Sequence, residues 1–353
     1  MNSNAKIAIA WEGLPFYAAR LIRACIEQLG EDIFVIGSKP TVPIKGMEES
    51  LGQPIHWIDG SQTYSWSRLG ITAPEIFIQT GWKNLAFNDL GLEVRQQNGQ
   101  VVGMIDNSWK NSPRQWLGAF VFRCVYRNWF AAVWVPGESG EKLCRFLGMP
   151  QSKIYQGLYV ADPNIFSRGL PLSQREKKFL FVGQLIKRKG IDLLVKAFQQ
   201  FYPQFPDWQL HIIGNGILYD SIIGEGIFKE DFKQPFEVSE VMRQSRYLIL
   251  PSQEDHWALV IHEATLSGCG IITTKMVGSV PEFVSAQNGI IIQKNSVEDL
   301  CEAMVKVAML SNAELDRASD TSLYLASKFS PERSSRDFVK LINDLRNQRQ
   351  FKN

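Results

Sequence analysis

The stretch FLFVGQLIKRKGIDLLVKAF, residues 179–198, decides how this chain folds. FLFVG is a short apolar run of strand type. QLIKRKG is a basic loop, and Leu193, Leu194, Ala197, Phe198 and Phe201 then recur on one helical face. A strand, a short loop and an amphipathic helix in that order make one step of a parallel α/β sheet. Downstream the pattern repeats: strand QLHIIG (209–214), helix VSEVMRQ (238–244), strand YLIL (247–250), a helix over 258–267, and strands GIITT (270–274) and GIII (289–292).

Upstream lies a second set of such steps. KIAIA (6–10) runs into WEGLP and a helix carrying Ala18, Leu21, Ile22, Cys25 and Leu29, followed by strand IFVIGS (33–38). Strands EIFIQ (75–79), QVVGMI (100–105) and AAVWVPG (131–137) and helix GESGEKLCRFLG (137–148) continue it. At 353 residues the chain is too long for one ordinary core and suits two domains. The expected fold is therefore α/β, with two doubly wound Rossmann-like domains facing a cleft. Residues 1–165 form the first domain and 179–328 the second. The polar, proline-containing segment 166–178 reads as a linker, and 329–353 as a C-terminal helix able to pack back on the first domain through Phe338, Leu341, Ile342 and Leu345.

Composition excludes several classes. A hydrophobic content of 45% and a charged content of 21% belong to a globular protein, and a net charge of +2 gives no electrostatic case for nucleic acid. The five cysteines lack Cys-x-x-Cys spacing, which favours reduced thiols in a cytoplasmic protein over a zinc site or a disulfide scaffold. No signal-peptide core and no apolar run long enough to span a bilayer is present.

In doubly wound sheets ligands sit at the carboxyl ends of strands, so the chemistry is sought in the loops after residues 10, 105, 183, 214 and 250. Lys187, Arg188 and Lys189 stand between a strand and a helix, where free N–H groups and the helix dipole already attract anions. A solvated basic turn would carry the same residues; the strand-end position favours the anion site. The turn IGNGIL (213–218) offers Gly214 and Gly216, but position 219 is tyrosine, so a dinucleotide fingerprint is unsupported. With no Asp-x-Asp pair and no metal spacing among His56, His211, His256 and His262, no metal site is expected, and His211 reads as structural. In DHWALVIHEATLSG (255–268), seven residues separate Asp255 from Glu263. That spacing alone fits incidental surface acids as well as a binding site.

Taken together, FVGQLIKRKGIDLLVKAF, HIIGNG and YLILPSQEDHWALVIHEATLSGCGIITTKMVGSVPEFVSAQNGIII resemble the family-4 retaining glycosyltransferases, which have the GT-B fold. The specific part of the likeness covers roughly residues 179–292, while WEGLPFYAARLIRA and VWVPGESGEKLCRFLGMPQSKI agree more loosely. The resemblance implies a catalytic set of Asp255, Glu263, Lys189 and Asp106. Asp255, with Glu254 before it, would meet the donor-sugar hydroxyls, and Glu263 the nucleotide ribose. Backbone N–H groups of Ala258, Leu259 and Val260 would face the diphosphate that Lys189 neutralises. Gly13 corresponds to the glycine loop of the first domain; Gly183, Gln184, Arg188, Gly214, Asn215, His256 and Trp257 complete the implied donor site. Three positions depart from the family: Asp255 replaces the commoner glutamate, Gln184 an arginine, and Ala258 a glycine. Asp106, with Asn107, stands near where many members carry an acceptor-side histidine.

The implied activity is metal-independent retaining transfer of a sugar from a nucleoside-diphosphate sugar to a glycan or lipid-linked hydroxyl acceptor, in bacterial surface polysaccharide or glycolipid assembly. Two alternatives are a nucleotide-sugar-binding protein without turnover and a GT-B epimerase. Segment 108–134 mixes Trp109, Trp116, Phe120 and Trp129 with Lys110, Arg114, Arg123 and Arg127. It suits peripheral contact with the inner face of a membrane, although a buried helix with solvated arginines is the preferred reading.

Overall fold

The computed structural model describes residues 5–38, 45–109, 111–292 and 296–350. They divide into two compact units, Met1–Val160 with Pro331–Asn353, and Ala161–Ser330.

The first unit is built on seven parallel strands: β1 (Ile7–Trp11), β2 (Ile33–Ser38), β3 (His56–Ile58), β4 (Ile76–Thr80), β5 (Gln100–Met104), β6 (Ala132–Trp134) and β7 (Ile154–Tyr155), in the order β3-β2-β1-β4-β5-β6-β7. The run IAIAW lies inside the sheet, between β2 and β4, and is buried on both faces, which is why it reads as continuous apolar sequence and not as an alternation. Helices α1 (Phe16–Leu29), α2 (Met47–Leu51), α3 (Leu85–Gln96), α4 (Pro113–Val121) and α5 (Glu138–Phe146) connect the strands.

A second all-parallel sheet organises the other unit. Its strands are β8 (Lys178–Val182), β9 (Gln209–Ile213), β10 (Ile227–Glu230), β11 (Tyr247–Leu250), β12 (Gly270–Thr274) and β13 (Gly289–Ile292), in the order β10-β9-β8-β11-β12-β13. Helices α6 (Ile191–Phe201), α7 (Pro235–Gln244), α8 (Leu259–Leu266), α9 (Val280–Phe283), α10 (Val297–Ala308) and α11 (Asn312–Ala326) complete it. Each unit is thus a Rossmann-like domain, and the sequence order of strands reverses between β1 and β4 in one and between β8 and β11 in the other.

The segment read as a linker is part of the second unit. Phe166, Leu172 and Arg175 are buried, and Arg175 donates to the carbonyls of Ser245 (3.0 Å) and Ser267 (2.7 Å), the C-caps of α7 and α8. Carbonyls at helix C-termini lack intrahelical donors and carry partial negative charge, so a guanidinium there satisfies both. The chain returns to the first unit with α12 (Pro331–Gln350), which buries Phe338, Leu341, Ile342 and Leu345. Arg346 makes two 2.7 Å bonds to Glu31, which hold that carboxyl below its usual range, and the Tyr155 hydroxyl donates to Asp344 at 2.7 Å.

Segment 113–126 differs from the preferred buried-helix reading. It is α4 followed by a π-helical turn, Phe122–Tyr126. Ala119 and Phe122 are buried, but Trp116 (54%), Leu117 (67%) and Phe120 (65%) are exposed, as is Val125. One narrow face packs on the sheet and the aromatic and aliphatic residues outside that stripe face solvent. Lys110 lies outside the described residues.

Candidate functional site

Where strand order reverses, the loops leaving two neighbouring strands run to opposite faces and open a crevice at their carboxyl ends. In the second unit those loops are residues 183–190, after β8, and 251–258, after β11. Backbone bonds tie them together: Gln253 N donates to Arg188 O at 2.8 Å, and the Arg188 guanidinium donates to Glu254 O at 2.8 Å. Gly190 makes this approach possible. It has φ +72°, and a Cβ there would lie 2.1 Å from the Pro251 carbonyl oxygen. Lys189 and Asp255 meet across the junction as a mostly buried ion pair, with side-chain exposures of 15% and 10%. A third loop, after β12, fixes the acid's backbone: Asp255 N donates to Met276 O (3.2 Å) and Gly278 N to Asp255 O (3.0 Å).

From Asp255 the chain enters α8 through Ala258, whose φ of +49° and ψ of +72° are left-handed. Alanine is thus held in the conformation that glycine would adopt freely, with Ser279 Oγ donating to its carbonyl at 3.3 Å. The N–H groups of Leu259 and Val260 have no acceptor among the described residues and form an anion-attracting turn. Ile261, His262, Ala264 and Thr265 are buried, which leaves Leu259, Val260 and Glu263 along the partly open face. Because Cα–Cβ bonds tilt toward a helix N-terminus, Glu263 leans back toward the same turn. Burial raises its carboxyl to about 7, and no hydrogen-bond or ion-pair partner for it is found among the described residues. A deprotonated acid there would have acceptor capacity to spare.

The loop after β9 forms the other wall. Gly183 N donates to Ile213 O (3.0 Å) and Leu185 N to Asn215 O (2.9 Å). A Cβ on Gly214 would lie 2.0 Å from the Gly183 carbonyl oxygen, so the glycines of IGNG serve close packing of loop on loop. With its amide oriented to satisfy its neighbours, Asn215 donates to Asp231 at 2.7 Å. Gln184 is exposed at the β8 exit, and His256 is half-buried. Trp257 is 3% exposed and edge-on to Phe283, so its indole anchors the loop and only its backbone is left for a ligand. His211 lies in β9 beside Phe228, its ring pushed down to about 4 chiefly by burial.

Gly13 and Asp106 belong to the first unit. Gly13, with φ +60°, leaves β1 and donates its N–H to Ser38 Oγ at 2.7 Å. Asp106 accepts from the Tyr159 hydroxyl at 3.0 Å and, more loosely, from Asn107 at 3.3 Å. Tyr159 packs on Trp11 and Tyr17 (ring centroids 6.0 and 5.4 Å), and burial, with the nearby Tyr17 and Asp106, raises its phenol well above the usual range. Asp106 is therefore oriented by a protonated phenol. Residue spacing gives no sign of Tyr159, which lies 53 positions from Asp106. The 276–279 turn was equally hidden, although the Gly-Ser before Pro281 is a turn signal. Among the described residues no group of three His, Cys, Asp or Glu side chains could hold a metal ion, and no helix is long and apolar enough to cross a membrane.

Residues 164–319, which contain the whole β8–β11–β12 junction, match the family model for glycosyl transferases group 1. An uncharacterised glycosyltransferase of Haemophilus influenzae is 28% identical over 183 residues, 49% of this chain and 51% of the relative. Another, from Methanocaldococcus jannaschii, is 26% identical over 177 residues, 47% and 48% of the two chains. The chain thus spans about half the length of these curated relatives. HepE of Anabaena, solved with UDP and glucose, superposes over 96% of this chain and 100% of its own, with a TM-score of 0.74 and 13% identity. Sucrose-phosphate synthase of Thermosynechococcus elongatus superposes over 97% and 100%, with a TM-score of 0.73 and 14% identity. At such identities the likeness establishes the fold, which is GT-B.

Proposed function

We propose that the chain is a retaining, metal-independent glycosyltransferase of the family-4 type, moving a sugar from a nucleoside-diphosphate sugar to a hydroxyl acceptor. The observation that carries this reading is the junction of Lys189, Asp255 and the free N–H groups of Leu259 and Val260 at the strand-order reversal, inside the span that matches the family model. UDP and glucose in the structurally similar HepE are consistent with such a donor.

In this mechanism the protein mainly stabilises the leaving group. Lys189 has three N–H donors, so its bond to Asp255 leaves two for a phosphate oxygen. The first turn of α8 supplies two further N–H groups from the backbone, at fixed positions. Glu254 and Asp255 hold the sugar hydroxyls, and the Glu263 carboxylate accepts from the ribose. The bond from the anomeric carbon to the diphosphate oxygen breaks as the acceptor oxygen approaches from the same face, and the departing oxygen takes the acceptor's proton. Asp106, oriented by Tyr159, serves the acceptor side. Ala258 adopts the conformation that a family glycine would, so this departure leaves the loop geometry intact and favours turnover over a binding-only role. The exposed apolar residues of α4 support a lipid-linked acceptor at the inner membrane face, in surface polysaccharide or glycolipid assembly.

Thermal shift with UDP, GDP, ADP and their sugars tests the donor site. A true donor nucleotide at a hundred times its Kd stabilises by about 2.7 kcal/mol, and Glu263→Ala loses most of that shift. No shift with any nucleotide, or an inverted anomer in the product by NMR, contradicts the proposal.

A further inference from the structure

A cavity of about 690 Å3 opens in the first unit at the edge where strands β5, β6 and β7 begin. Its walls are Arg95 in the last turn of α3, Gln100 and Val101 at the start of β5, the Arg127–Ala131 segment before β6, Lys153 ahead of β7, and Arg349 near the end of α12. The strands of this sheet are all parallel, so this edge is opposite the one that carries Gly13 and Asp106.

The charge in the cavity is one-sided. Arg95, Arg127, Lys153 and Arg349 line it and no Asp or Glu does, in a chain whose whole net charge is only +2. Arg127 and Lys153 have no side-chain hydrogen bond or ion pair among the described residues. Arg95 is preorganised: it donates to Asn128 O at 2.8 Å and lies over the Trp129 ring, 5.0 Å from its centroid. Among the described residues Arg349 reaches only Glu75, at 3.8 Å and outside the lining, a pairing too loose and exposed to neutralise it. The other polar side chains of the wall are Asn and Gln amides, which can all donate. Four converging cations repel one another unless an anion shares them, and three guanidinium forks match the paired oxygens of phosphoryl groups.

We propose that this cavity is an anion site, separate from the donor site, for a ligand bearing two or more phosphoryl groups. Its volume lies within the roughly 300–1,000 Å3 of small-molecule sites and exceeds what a single phosphate fills. Nucleic acid fits poorly: Trp129 is the one indole in the wall, and its face is taken by Arg95. The inference uses nothing from Lys189 or α8, so it stands or falls apart from the glycosyltransferase reading.

Isothermal titration of the full chain with inorganic pyrophosphate in magnesium-free buffer tests it, in a Lys189→Ala background that weakens the donor site. A saturable event is expected to remain there and to weaken at least about tenfold when Arg127→Ser and Lys153→Ser are added; inorganic phosphate should bind about tenfold more weakly than pyrophosphate. Both substituted residues are solvent-accessible and without partners among the described residues, so the urea midpoint should stay in place and show that the variant folds. Flotation with phosphatidylcholine vesicles, with and without phosphatidylinositol bisphosphate, identifies the source. Recruitment that the double substitution abolishes makes the ligand a lipid headgroup, and pyrophosphate binding without recruitment makes it a soluble polyanion. Absence of a saturable event, or an isotherm unchanged by Arg127→Ser/Lys153→Ser, overturns the proposal.

Discussion

The loop that leaves β8 and the loop that leaves β1 occupy the same topological place in their own sheets, yet they are held in different ways. After β8, the backbone of residues 183–190 bonds to the loops after β9 and β11, and at Gly190 and Gly214 a methyl group would strike a carbonyl oxygen at 2.1 and 2.0 Å. After β1, Gly13 has nothing within 4 Å of where a Cβ would stand, and its N–H bonds a serine hydroxyl. The first loop is fixed by backbone packed on backbone; the second is held by its left-handed φ and by bonds from Glu12 N and Gly13 N to the hydroxyls of Thr80 (2.9 Å) and Ser38 (2.7 Å). A phosphate-binding wall that must not move can be built the first way, whereas a loop that adapts to its ligand can be built the second.

The largest effect that would break this comparison is at Gly190. Gly190→Ala has to part the β8 and β11 loops and strain a left-handed residue, and it is expected to cost on the order of 4 kcal/mol or more, read as a fall in the urea midpoint or as failure to fold. A variant of wild-type stability would show that the junction is not rigid. Glu263→Gln sharpens the electrostatic side. The carboxyl is raised to about 7 in the folded chain, so the native state keeps its proton while the unfolded chain loses it. The Glu263 contribution to stability therefore falls as pH rises from about 4.5 to about 7 and is level above that, against the opposite contributions of His211 and His262, whose rings burial pushes down to about 4 and about 3. The glutamine variant lacks this slope and gains on wild type by about 1–3 kcal/mol between pH 5 and pH 8, after discounting for partial exposure. Parallel curves would place Glu263 in a more hydrated setting. The smallest effect is at Gly13: Gly13→Ala meets only the left-handed penalty, about 1 kcal/mol, with the fold intact. A loss as large as that of Gly190→Ala would erase the contrast between the loops.

The same contrast explains what could be read from the sequence. The central strands are long and apolar and announce themselves, whereas β3, of three residues, and β7, of two, leave no period to detect. Lys189, Asp255 and Glu263 were singled out by the family resemblance, since their spacing alone fits incidental acids as well, and the structure joins the first two in a direct bond. Tyr159 was not, since its contact with Asp106 is made across 53 residues by tertiary packing. The 166–178 segment misled for a related reason. Its prolines and charges look like a linker, but Leu172 and Arg175 are buried by partners that lie far along the chain. Exposure of α4 was equally hidden, because an apolar row reads the same whether it faces a core or solvent.

A crystal structure with a bound nucleoside diphosphate tests the central claim most directly. The account predicts both phosphates within hydrogen-bonding distance of Lys189 Nζ and the N–H groups of Leu259 and Val260, with the ribose hydroxyls on Glu263. Phosphates seated away from Lys189 and from the first turn of α8 would contradict it.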